Sequence, residues 1–178
     1  MKNLRLFRAF LSLSAFLVAS FAVKAANEQP TEFKPHAIQV LAIHSDEIFV
    51  PEEFQVALYE NLIHQLEKRG FQRVYRDGDR NASGASNLVV LHCTVRRFKA
   101  GNEMARQVTT VAGATSISIH CQFTNEAGQS LLEQDVTGKV RFFGGNLRAT
   151  YDFAKKASKI AYKNFLVTSG SNGQYKTN

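Results

Sequence analysis

Two cysteines in this chain are each preceded by a histidine, His92-Cys93 and His120-Cys121, and these are the residue types able to do chemistry. Each pair lies in an alternating segment. Over 87–98, Val89, Leu91, Cys93 and Val95 share one strand face, while Leu88, Val90, His92, Thr94 and Arg96 share the other. Over 115–124, Ile117, Ile119, Cys121 and Phe123 point one way and Ser116, Ser118, His120 and Gln122 the other. Pairing the strands with Cys93 opposite Cys121 puts both apolar faces on one side and sets Phe98 opposite Ser116. Opposed Cβ atoms then approach to about 4.5–5.5 Å, within reach of a disulfide. In an oxidising compartment a Cys93–Cys121 bridge is expected, worth about 3 kcal/mol in the chain-entropy model. The alternative is two buried thiols packing as small hydrophobes. Redox catalysis lacks its C-x-x-C motif.

His92 and His120 fall on the same face of neighbouring strands, where two imidazoles could supply half of a zinc or copper site. A site needs a third ligand, and no acid or further histidine is expected on that face. No metal is therefore expected, and a small metal-dependent enzyme using His92 and His120 stays as the alternative function. Asp77-Gly78-Asp79-Arg80-Asn81 opens like a calcium loop, but Ala82 and Leu88 stand where the EF-hand needs Gly and Glu. There is no nucleophile elbow and no phosphate-binding glycine motif, so no cofactor is expected either. Lys155, Lys159 and Lys163 form a ridge on one helix, either a solvated face or a surface for anionic lipid or glycan.

The connection between the cysteine strands is long for a hairpin, and long loops tend to be functional or mobile. It carries Gly101, Asn102 and Arg106, and Arg106 offers a five-donor fork. These three are the expected contact for a partner. On that reading Arg106→Ala impairs function and leaves thermal stability nearly unchanged. The local alternative is a Gly101-Asn102 turn with Arg106 paired to a nearby acid.

The elements that must position these residues read as follows. Residues 1–25 resemble a signal peptide: Lys2, Arg5 and Arg8 precede an uncharged run from Ala9 to Val23, and Val23-Lys24-Ala25 offers small residues at a cleavage site. Cleavage removes four basic residues, leaving 18 against 15 acidic ones, a charge of +3 rather than +7. That balance gives no basic footprint for nucleic acid. No later run is long and apolar enough for a transmembrane helix. Residues 26–36 read as a flexible leader, 37–167 as one domain and 168–178 as a disordered tail.

Within the domain, Ala37–Ile43 is an apolar strand. Phe54, Leu58, Leu62 and Leu66 repeat every four residues between Pro51 and Arg69 and define a helix. Phe71–Tyr75 is a short strand, 130–142 a third long strand, and Leu147–Phe165 a second helix that Asn146 could cap. The expected fold is α+β: two layers, a mainly antiparallel sheet with two helices packed on one face, and the first strand possibly parallel to a later one.

The order Phe98, Gly101-Asn102, Arg106, Ala112-Gly113, the Asn125-to-Gly128 turn and Gly144-Gly145 resembles a family of exported bacterial envelope proteins, many of them lipoproteins, classed as a domain of unknown function. The resemblance spans about residues 37–166. It implies an α+β envelope domain and no reaction. No lipobox cysteine is present, so a lipid anchor does not carry over, and Asn125 replaces an expected Asp. The functional expectation is a periplasmic or secreted envelope protein, a non-catalytic binding module whose partner is an envelope protein or surface component.

Overall fold

The computed structural model describes residues 35, 37–45, 47–108, 113–140 and 144–167. The expected signal peptide, all of the leader but Pro35, and residues 168–178 lie outside the described residues.

The chain enters through β1 (Ala37–Val40) and β2 (His44–Ser45). Both run parallel to β4 (Leu88–Lys99), with the register slipping by one residue between Val40↔Leu91 and His44↔Thr94. Next comes α1 (Glu52–Lys68). Pro51 precedes it, where a missing N–H is harmless, and Glu52 and Glu53 meet the positive end of the helix dipole. Its stripe of Phe54, Leu58, Leu62, Ile63 and Leu66 is buried. The helix returns the chain to β3 (Arg73–Tyr75), parallel to β1. A 3-10 turn (Arg80–Gly84) leads into β4.

Two antiparallel strands follow, β5 (Thr115–Thr124) and β6 (Ser130–Val140). A short helix α2 (Glu103–Val108) sits in the β4–β5 connection, where the sequence offered only a loop. Helix α3 (Arg148–Ala161) follows β6 and runs into a π-helical turn, Tyr162–Val167. The strand order is β3-β1-β4-β5-β6, with β2 also on β4.

The class is α+β, but the sheet is mixed rather than mainly antiparallel. A helical crossover between β1 and β3 returns the chain to the same end of the sheet, which makes parallel pairing the available geometry. A second return, through residues 76–87 with the 3-10 turn, makes β4 parallel to β1 as well.

Side chains of α1 and α3 share one hydrophobic cluster with Val89, Leu91, Cys93 and Val95 of β4, Ile117, Ile119, Cys121 and Phe123 of β5, and Val136 and Val140 of β6. Cys93 pairs with Cys121 as the alternation requires. Beyond them the register changes: Val95 faces Ile119 but Arg97 faces Ser118, leaving Arg96 as a bulge. Phe98 therefore lies opposite Ile117, not Ser116, and turns to the core side, where its ring meets Phe54 at 4.9 Å. One inserted residue flips every later side chain to the other face.

At Gly138, an added Cβ would run into the carbonyl oxygen of Ala149 and the Phe153 side chain. Glycine here lets α3 lie directly on β6.

Candidate functional site

The connection that carries Gly101, Asn102 and Arg106 closes at its neck. The Asn102 N–H donates to the Gly113 carbonyl at 3.1 Å, and the Gly101 N–H donates to Thr115 Oγ1 at 3.1 Å. A Cβ on Gly101 would collide with Gly113 O and Thr115, so only glycine fits. Gly113 has φ +82°, in the left-handed region that glycine occupies without strain. Asn102 begins α2 as a cap: its Oδ1 accepts the Ala105 N–H at 3.0 Å.

Arg106 points inward. It is 5% exposed, and its guanidinium gathers acceptors from the β4–β5 connection, the start of β5 and the β6–α3 connection. One terminal nitrogen donates to Gly113 O at 2.6 Å, Asn146 Oδ1 at 2.8 Å and Thr115 Oγ1 at 3.3 Å. The other donates to Gly144 O at 2.9 Å. The carboxylate of Glu103 stands 3.8 Å away and accepts the Asn146 N–H at 2.9 Å. Thr115 Oγ1 donates to Asn146 Oδ1 at 2.6 Å, and Asn146 Nδ2 donates to Gly101 O at 3.3 Å. Asn146 is thus spent on this knot and does not cap α3, whose first residue follows Leu147 with no side-chain cap.

The expected contact residues are accordingly brought together, with Arg106 buried beneath the surface, Gly101 half-buried and Asn102 exposed. Of the residues that carry the family resemblance, Gly101-Asn102, Arg106, Gly113 and Gly144 converge on this knot, which ties the β4–β5 and β6–α3 loops to each other, while Phe98 and the Asn125–Gly128 turn lie elsewhere. What α2 turns outward is Met104 and Val108, 76% and 81% exposed. They stand one helical turn apart, on one face. Neither was singled out by sequence reasoning; the i, i+4 apolar spacing was the signal.

Cys93 and Cys121 lie opposite each other, fully buried, but as two thiols with Sγ atoms 3.8 Å apart, where the sequence led us to expect a bridge. A disulfide needs about 2.05 Å. The hydrogen bond to Cys121 and burial both push the Cys93 thiol well above its usual range, so Cys93 is not primed as a nucleophile.

The histidines occupy one face of β4 and β5, diagonally placed because His92 faces Gln122 and His120 faces Thr94. His92 Nε2 lies 3.5 Å from Thr124 Oγ1. His120 Nδ1 lies 2.9 Å from Asp135, and its Nε2 is 3.8 Å from Glu133. The sequence reading foresaw no acid on this face; β6 supplies two. Hydrogen bonds from Ser130 and Gln122 hold Glu133 below its usual carboxylate value. Among the described residues no group of three His, Cys, Asp or Glu side chains is arranged to hold a metal ion.

A second feature lies at the end of β1. A groove of about 450 Å3 is lined by Ala42, Ile43, Val56, Tyr59, Arg76 and Asp77 among others. Its polar groups are mutually engaged. Tyr59 Oη donates to Val40 O at 3.2 Å and accepts the Asp77 N–H at 2.7 Å, and Asp77 accepts the Ala42 N–H at 3.1 Å. Arg76 grips Glu60 with two bonds of 2.6 and 2.8 Å.

No family model and no curated protein sequence matches the chain. Solved structures do share its fold. The PelC dodecamer from Paraburkholderia phytofirmans, in two crystal forms, gives a TM-score of 0.53 at 11% identity. The first form covers 69% of this chain and 85% of that one. A DUF330 protein from Xanthomonas campestris is similar at a TM-score of 0.49 and 14% identity, covering 76% and 88% of the two chains. No helix among the described residues is long and apolar enough to cross a membrane.

Proposed function

We propose that the protein is an exported envelope protein that acts by binding a partner protein, with no chemistry of its own, through the corner at α2. The observation that carries this is the pairing of a buried lock with an exposed apolar face. Arg106 fixes α2, and Met104 and Val108 stand side by side in solvent. Two adjacent large apolar side chains on a held segment suit a protein contact, and methionine adapts to varied surfaces. Gly101, Asn102 and Arg106 are positioning residues for that contact, Arg106 from beneath it. The leader-like N-terminus supports export to the periplasm or beyond. Likeness to a subunit of the PelC dodecamer makes a second copy of the chain the first partner to test.

The test is photo-crosslinking in cells from a reactive residue at position 104. A discrete adduct, with a second copy or another envelope protein, that disappears in Val108→Asp is expected. Adducts formed only from position 56 in the groove, with none from 104, overturn the assignment. Fractionation of the same cells checks export separately.

A further inference from the structure

We propose that the outer face of α3 is a binding site for a linear anionic polysaccharide. At 3.6 residues per turn, Arg148, Lys155, Lys156 and Lys159 fall within an arc of about 100°, and all four are exposed. Tyr151 and Tyr162 border the same arc, 45% and 37% exposed. The helix has one acid, Asp152, and it is neutralised in place: Lys156 Nζ binds it at 2.6 Å and the Lys139 N–H at 2.9 Å. Lys156 also donates to Thr137 O at 2.8 Å. Lys155 and Lys159 are left facing solvent beside the two phenol rings.

Cations with interleaved aromatic rings are complementary to a chain that is anionic and has flat sugar faces. A narrow polymer fits better than a bilayer. Helix α1 packs beside α3 through an Asn61–Thr150 hydrogen bond of 2.9 Å, and α1 exposes Glu53 and Glu67, while its Glu60 is taken up by Arg76. A flat anionic surface laid on α3 would press those carboxylates against like charge; a single chain along the ridge would not. In choosing a polysaccharide over a nucleic acid, this inference rests on the envelope location proposed above, while the site itself is separate from α2.

The experiment uses residues 26–178 and polygalacturonate as probe, with neutral dextran, single-stranded DNA and vesicles containing phosphatidylglycerol alongside. Polygalacturonate should bind, dextran should not, and the affinity should fall steeply with salt. Lys155→Glu with Lys159→Glu should weaken binding at least tenfold at unchanged Tm. Tyr151→Ala should weaken it severalfold without altering the salt slope. No binding of polygalacturonate at low salt, or full binding by the lysine pair variant, overturns the site. Tighter binding to DNA or to vesicles overturns the polysaccharide assignment. Loss of the α2 crosslink leaves all of these readouts untouched.

Discussion

Arg106 and Arg76 have the same side chain and opposite circumstances. Arg76 is half-exposed and meets a full carboxylate, Glu60, in a two-bond fork, with its guanidinium carbon 5.7 Å from the Tyr59 ring centre. Arg106 is buried, and its short bonds go to two backbone carbonyls and an amide oxygen, the nearest carboxylate being 3.8 Å off. By geometry alone Arg76 looks the stronger interaction. Water reverses the ranking. A solvated ion pair exchanges one good environment for another, whereas removing a buried donor strands its acceptors away from solvent. Burial, rather than partner charge, decides which arginine the fold depends on.

The comparison breaks first at Arg106. Arg106→Ala leaves Gly113 O, Gly144 O and Asn146 Oδ1 short of a donor and unpins α2 from the β6–α3 loop. We expect a loss of about 3–5 kcal/mol in chemical denaturation, not the near-neutral outcome that a solvent-facing contact would give. Arg106→Lys should recover little, since one ammonium cannot span acceptors placed for a planar fork. A Tm within a degree of wild type for both variants would show that the knot contributes nothing.

Asn146→Ala should have the next largest effect. It removes one acceptor from Arg106 and one from Thr115, but leaves both carbonyl bonds of the guanidinium in place. About 1–3 kcal/mol is expected for buried donors left short of a partner. Because Asn146 and Arg106 touch, the double variant should fall well short of the sum of the two singles. Additive losses in that cycle would mean the two residues act separately.

The periodic parts of this architecture were legible in the sequence. The cysteine register followed from two alternating segments, because a shift by one residue would have buried Ser116, Ser118 and His120. Helix α1 followed from its four-residue leucine repeat. Phe98 was misplaced because a bulge at Arg96 carries no periodic mark; the only trace was two arginines in a row before an aromatic residue. Parallel pairing of β1 was underweighted because strand direction is set by the connection through α1, not by the strand's own residues. At the candidate site the residues were found but not their orientation. Arg106 reads as exposed in any one-dimensional view, since the acceptors that draw it inward come from Gly113, Thr115, Gly144 and Asn146. Asn146 lies 40 residues away.

Arg76 sharpens the comparison from the weak side. Its hydrogen bonds hold the Glu60 carboxyl below the usual value of 4.5. A carboxylate with a depressed folded pKa stabilises the protein above its unfolded pKa, and that contribution is lost as the pH falls through the folded value. The pair therefore supports the fold at neutral pH and ceases to do so only in acid, below pH 4.5. Being solvated on both sides it should be worth about 0–1 kcal/mol, screened further by salt. Glu60→Gln and Arg76→Ala should each move the denaturation midpoint slightly at pH 7, and Glu60→Gln should match wild type at acid pH. Raising the salt concentration should shrink the pH 7 difference for both. Arg106→Ala should keep its full deficit at every salt concentration, because the Arg106 side chain is buried and its short bonds go to uncharged acceptors. If Arg76→Ala proved the costlier of the two arginine variants at pH 7, burial would not be the governing variable.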